Sequence, residues 1–213
     1  MWIEVSKVKI TVEFPNISAT TFGFSSEICK ASHMSVRDHR ALHADVHILD
    51  AGYSSGRDIL YFLNKGYKVT AIDASKELSK LASDLIKQLV LNISFQEIDF
   101  ENEFDGVWAS ASLLHIPKNE INDVLSLIAK ALKVNGVLYA SFKYGDREYE
   151  KEGRYFNCYD ESSIDELINK NNSLTLIKRW TSSDSRTGRQ DEIWLNCFVR
   201  NNKNAFLFPK NLD

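Results

Sequence analysis

Cysteine is scarce in this chain. Cys29, Cys158 and Cys197 are odd in number, widely spaced and without a CxxC pair, which argues against a disulfide frame or a cysteine-built zinc site and suits a reducing compartment. Long apolar runs are also missing: none approaches the roughly 18–20 residues that cross a bilayer, so no membrane partner is expected. Nor is there an excess of one charge. With 26 Lys and Arg against 29 Asp and Glu, the net charge is −3, and without a basic run a nucleic-acid partner is not expected. A short basic start followed by an apolar block is absent as well, so the expected location is cytoplasmic. Internal repeats and low-complexity segments are lacking.

What is present is an ordinary globular composition. The 213 residues are 44% hydrophobic and 26% charged, enough to bury one core with some covering structure. Residues 1–45 form an N-terminal strand and cover segment. In them Val8, Ile10, Val12 and Phe14 alternate with polar residues, as in a half-exposed strand that could pair across a homodimer. A short helix is expected within 35–44. Residues 46–200 carry the main domain, and 201–213 read as a polar tail.

From residue 46 apolar runs alternate with helical periods. Strands are expected at Val46–Asp50, Lys68–Ile72, Ile93–Glu97, Phe104–Ala111 and Val137–Phe142, with Lys133–Gly136 turning the chain before the last of these. Helices are expected at Arg57–Lys65, after Ser75, after Pro117 and over Glu161–Asn171. In the second of them, Leu78, Leu81, Ala82, Leu85, Ile86 and Leu89 share one face. Two closing strands, Leu174–Thr181 and Glu192–Val199, have no helix between them. Such alternation implies an α/β fold with a doubly wound, mostly parallel sheet, closed by an antiparallel hairpin at one edge.

In such a sheet a ligand lies past the carboxyl ends of the strands, where strand order reverses. Asp50 and Asp73 end neighbouring strands there. Gly52 and Gly56 between them let backbone approach a ligand where a Cβ would collide. If that ligand is S-adenosylmethionine, Asp73 can accept both ribose hydroxyls and Asp50 can hold the cationic amino group. A nicotinamide dehydrogenase is the rival, because it too places an acid about 20 residues after its glycine turn. GxGxxG is absent, however, and Asp50 would face a pyrophosphate that it repels. The sulfonium cofactor fits better.

These residues resemble a known family. Asp50-x-Gly52-x-Ser54-x-Gly56 is similar to the first motif of class I S-adenosylmethionine-dependent methyltransferases, and Ala71-Ile72-Asp73-Ala74-Ser75 to the second. Phe104–Pro117 resembles the fourth-strand motif and Leu132–Gly145 the fifth-strand segment. The nearest named group is the small bacterial tellurite-resistance-type methyltransferases, over about residues 46–199. The resemblance implies a Rossmann-like seven-stranded sheet with its last strand antiparallel. It further implies that Ala51, Ser54, Ala74 and Ser110 border the cofactor and that Asp99 contacts the adenine. One departure stands out: where the family usually reads Asp-x-Gly-Cys-Gly-x-Gly, this chain has Tyr53 and Ser54, a change that can cost roughly 1–2 kcal/mol of backbone strain. A degenerate, non-catalytic protein of the same fold is therefore the alternative to an enzyme.

A methyl on a sulfonium is already activated, so the protein mainly aligns the reactants. A base is needed where the acceptor must lose a proton. His115, just past the fourth strand, is the candidate, against a purely local structural role. Tyr144 is a second catalytic candidate, and Lys143 and Arg154 are candidates for binding a small-molecule substrate. His39 and His43, four apart, lack a third ligand, so no metal is expected. Trp108, Trp180 and Trp194 read as packing residues. Arg179, Arg186 and Arg189 are either ordinary surface or an attraction for an anion.

Overall fold

The computed structural model describes residues 45–52, 57–184, 186 and 188–203. The strand expected at Val8–Phe14, its pairing across a homodimer, the 35–44 helix, His39, His43, Cys29 and nearly all of the tail lie outside the described residues, as do Tyr53, Ser54 and Gly56.

Apolar residues at 47–51 and 68–72 form β1 (His47–Ala51) and β2 (Lys68–Ile72), which pair in parallel with Asp50 opposite Ala71. The helix between them, α1 (Arg57–Asn64), ends before Gly66, whose φ of +90° suits a residue without a Cβ. Ser75 caps α2 (Lys76–Ile86), its hydroxyl accepting from the Leu78 N–H at 3.3 Å, and so satisfies one of the orphan donors of the first turn.

The chain continues through β3 (Val90–Leu91), β4 (Phe104–Ala109), α3 (Ile121–Ala131), β5 (Leu132–Lys143), β6 (Glu148–Lys151) and β7 (Arg154–Asn157). It closes with α4 (Glu161–Asn169), β8 (Leu174–Ser183) and β9 (Ile193–Asn201). Seven strands form one sheet in the order β3-β2-β1-β4-β5-β9-β8, while β6 and β7 form a separate hairpin. β9 runs antiparallel to both β5 and β8. Strand order reverses between β1 and β4, which places the cleft there.

Buried apolar clusters flank the sheet. On one face Leu49, Val107, Leu138 and Phe142 pack with Leu125 and Ile128 of α3 and Ile164 and Ile168 of α4. Toward α1, Ile48, Phe62 and Trp108 pack together, and Trp108 stacks on Tyr139 with ring centroids 4.0 Å apart. Each fully buried aliphatic or aromatic side chain contributes roughly 1.5–3 kcal/mol.

Three expectations change. The third strand lies at Val90–Leu91, whereas Phe95–Glu97 is a 3₁₀ turn because Ser94 and Glu97 cap each other reciprocally. β5 begins at Leu132, five residues early, and the expected turn survives as a bulge. Pairing jumps from Phe104–Leu132 to Gly106–Val137, with Asn135 at a φ of +64°. The β6–β7 hairpin was not foreseen at all.

Candidate active site

Asp50 sits near the end of β1 with only 5% of its surface exposed. Burial, then the nearby carboxylates of Asp58 and Asp73, push its acid up to about 8. Among the described residues no cation offsets these effects, so the carboxyl is suited to receiving one. Asp73 extends the ladder beyond β2, its N–H donating to the Leu91 carbonyl at 3.1 Å. Its Oδ1 accepts from the Ser75 N–H at 2.7 Å. Asn92 donates to the carbonyls of Asp73 and Ala74, both at 3.0 Å. Burial raises the Asp73 pKa, and the Ser75 contact opposes that shift. The acid is thus fixed through Oδ1.

Between these acids Gly52 has a φ of +104°, and a Cβ on it would lie 2.2 Å from the Ser112 Cβ. The Ser112 hydroxyl donates to the Ala51 carbonyl at 2.6 Å. The Gly52 N–H donates to Ile72 at 3.1 Å. Ala111 takes a φ of +53°, and its N–H donates to the Ser141 hydroxyl at 2.8 Å. Two buried serines therefore stitch the turn after β4 to β1 and β5. Ser110 lies in that turn beside the Tyr139 hydroxyl. Ser112 and Ser141 are not among the expected site residues; the signal they carry is a small hydroxyl at an otherwise apolar strand end.

On the other side of the cleft, His115 ends a 3₁₀ turn at Leu113–His115. Its Nδ1 is 2.7 Å from the Tyr155 carbonyl of β7, and its ring meets Phe156 edge-on at 5.1 Å. Lys143 and Tyr144 stand at the end of β5. The Lys143 ammonium pairs with Glu192 and lies 4.2 Å from the Trp194 ring centroid, so its charge is largely satisfied within the protein. The Tyr144 hydroxyl donates to Glu161 at 2.7 Å, which raises the phenol's pKa. Arg154 opens β7 and is exposed.

Asp50, Ala51, Gly52, Asp73, Ala74, Ser110 and His115 thus share the carboxyl edge of the sheet, with Tyr144 and Lys143 further along it. Asp99 does not. Its exposed carboxylate pairs with Lys130 at 3.0 Å, near the end of α3 and close to where Asn102 and Glu103 lead into β4. That is the amino end of the sheet. By residue 99 the chain has already turned back, so Asp99 cannot contact an adenine in this cleft. The three arginines each pair with an acid: Arg179 with Asp165, Arg186 with Asp184 and Arg189 with Glu192. Among the described residues no cluster of three or more ligating side chains could hold a metal, and no helix is long and apolar enough to cross a membrane.

Residues 48–136 match the family described as a methyltransferase domain. An uncharacterized methyltransferase of Staphylococcus carnosus (strain TM300) is 24% identical over 147 residues, covering 67% of this chain and 71% of the relative. Among solved structures, the 1,6-didemethyltoxoflavin-N1-methyltransferase of Burkholderia thailandensis, with bound 1,6-didemethyltoxoflavin and S-adenosylhomocysteine, superposes with a TM-score of 0.63. It is 24% identical, and the match covers 78% of this chain and 77% of that one. The N-methyltransferase NodS of Bradyrhizobium japonicum WM9, in complex with S-adenosylhomocysteine, gives a TM-score of 0.59 at 17% identity, over 76% of this chain and 81% of that one. The domain match over residues 48–136 and the order of the sheet together support a Rossmann-like methyltransferase fold.

Proposed function

We propose that the protein methylates a small molecule at a nitrogen or oxygen that gives up a proton. The observation that carries the cofactor half of this reading is Asp50, a buried acid whose charged neighbours among the described residues are also acids. The amino group of the cofactor's methionine moiety would place a cation beside it. Asp73 takes the ribose hydroxyls. Backbone at Ala51, Gly52, Ala74 and Ser110 borders the ligand. The segment Asn92–Phe95, leaving β3 at the same edge, replaces Asp99 as the part of the chain that reaches the adenine.

When bound, S-adenosylmethionine supplies a methyl whose bond to sulfur breaks, the electron pair staying on sulfur, as the bond to the acceptor forms. His115 receives the acceptor's proton. Tyr144 and Arg154 approach the acceptor from the β5 end and from the hairpin, and Lys143 acts there through its pair with Glu192. The near-balanced charge, −3 overall with no basic run in the sequence, supports a small acceptor over a nucleic acid.

Titration calorimetry with S-adenosylhomocysteine tests the reading. Micromolar binding that weakens at least tenfold in Asp50→Asn is expected. Absence of heat with both S-adenosylmethionine and S-adenosylhomocysteine would leave the degenerate, non-catalytic alternative instead.

A further inference from the structure

The β6–β7 hairpin stands apart from the main sheet. Two-stranded hairpins are marginal in water, so side-chain contacts must decide where this one rests. Those contacts converge on residues 115–118. The Lys118 N–H donates to Glu148 Oε1 at 2.8 Å, and the Lys118 ammonium donates to the Asp146 carbonyl at 3.0 Å. Buried Asn157 donates to the Ile116 carbonyl at 3.2 Å. Glu148 also bonds the Tyr155 hydroxyl, which lowers the acid's pKa. Tyr149 stacks on Phe156 at 5.1 Å, and Phe156 in turn abuts the His115 ring.

From this geometry we infer that the hairpin is a positioning element for His115: its Tyr155 carbonyl fixes which ring nitrogen carries the proton, and the Glu148–Lys118 latch holds that carbonyl in place. A carbonyl oxygen can only accept, so Nδ1 must donate. In the neutral ring Nε2 is then a bare lone pair. Free histidine in water favours the opposite tautomer, with the proton on Nε2, which could not act as a base through that atom. The hairpin therefore converts a solvent-like imidazole into an oriented base. This inference rests on the reading of His115 as the base that takes the acceptor's proton, but the tautomer can be measured without any acceptor.

Nitrogen-15 NMR of the full chain with labelled histidine tests it, the His115 signals being assigned by their loss in His115→Asn. The expected native pattern is a neutral ring protonated at Nδ1. In Glu148→Ala the pattern should shift toward the Nε2–H form, and in Glu148→Gln, whose amide oxygen can still accept from Lys118, it should largely return. Glu148 is exposed, and a cooperative melt confirms that each variant is folded. A native ring protonated at Nε2 overturns the proposal, as does a folded Glu148→Ala that retains the native pattern. Neither result bears on S-adenosylhomocysteine binding, so this proposal and the cofactor assignment fail separately.

Discussion

The two sides of the cleft are built from different materials. The cofactor side, around β1, β2 and the turn after β4, is made of buried backbone, two acids, a glycine without space for a Cβ, and hydroxyls that satisfy carbonyl and amide groups. The acceptor side rests largely on solvent-facing contacts of Glu148 and Lys118 that fasten a hairpin to a loop, with buried Asn157 as the exception. Buried polar groups are costly to leave unpaired, whereas exposed bonds and ion pairs are worth about 1 kcal/mol or less. The first side should therefore fail abruptly under substitution and the second by degrees. That contrast suits a domain that keeps one cofactor while its acceptor varies.

The sharpest way to break the comparison is Gly52→Ala. A Cβ 2.2 Å from that of Ser112, at a φ of +104°, adds strain and overpacking of about 2–5 kcal/mol. Loss of S-adenosylhomocysteine binding and a fall in melting temperature of many degrees are expected. Adding Ser112→Gly should recover the steric part and leave the conformational part. If the double variant were no more stable than Gly52→Ala alone, the steric account would be wrong.

Asp50 gives the next largest effect, and its sign can be worked out. The folded acid sits at about 8 against an ordinary value of 3.8, so between those values the ligand-free folded state holds a proton that the unfolded state has lost. The contribution of Asp50 to the stability of the free protein should therefore be most favourable below about pH 4 and decline as pH rises toward 8. Binding runs the opposite way. A ligand ammonium needs the carboxylate, so affinity should rise about tenfold per pH unit up to about 8 and then level off. Asp50→Asn should flatten both profiles. Thermal melts and calorimetry from pH 5 to 8.5 check them together; affinity that falls with pH over this range would contradict the assigned ammonium contact.

The same contrast explains what the sequence could and could not show. The common placement of Asp50, Gly52 and Asp73 at one sheet edge was legible because an apolar run ending in an acid, followed by a turn glycine, has few other readings in a parallel sheet. The antiparallel closing pair followed from two strands with no helix between them. Asp99 was misplaced because the Ser94–Glu97 capping box uses those residues in a tight turn, after which the chain heads back toward the start of β4. Linear spacing does not record that reversal. The hairpin was illegible for another reason: Glu148, Tyr149, Glu150 and Lys151 are all exposed, so no inside–outside alternation marks them as a strand. Ser112 and Ser141 carry no periodic signal, and their roles appear only when β1, β4 and β5 are brought together.

The smallest effect sharpens the contrast from within the cofactor side. Ser141→Ala removes the acceptor for the Ala111 N–H, a bond of 2.8 Å to a side chain in a buried residue. One lost hydrogen bond with an amide left unsatisfied costs about 1–3 kcal/mol. Ala111 also holds a left-handed φ of +53°, a conformation that non-glycine residues keep only when their surroundings enforce it. Part of the loss should therefore appear as relaxation of the turn carrying Ser110, and S-adenosylhomocysteine affinity should fall several-fold beyond what the stability change requires. Ser141→Thr keeps the hydroxyl and adds a methyl, so it should preserve affinity even where packing lowers the melting temperature. If alanine and threonine instead lowered affinity equally, the hydroxyl would be a packing atom, and the hydrogen-bonded stitch between β4 and β5 would not be what shapes the cofactor edge.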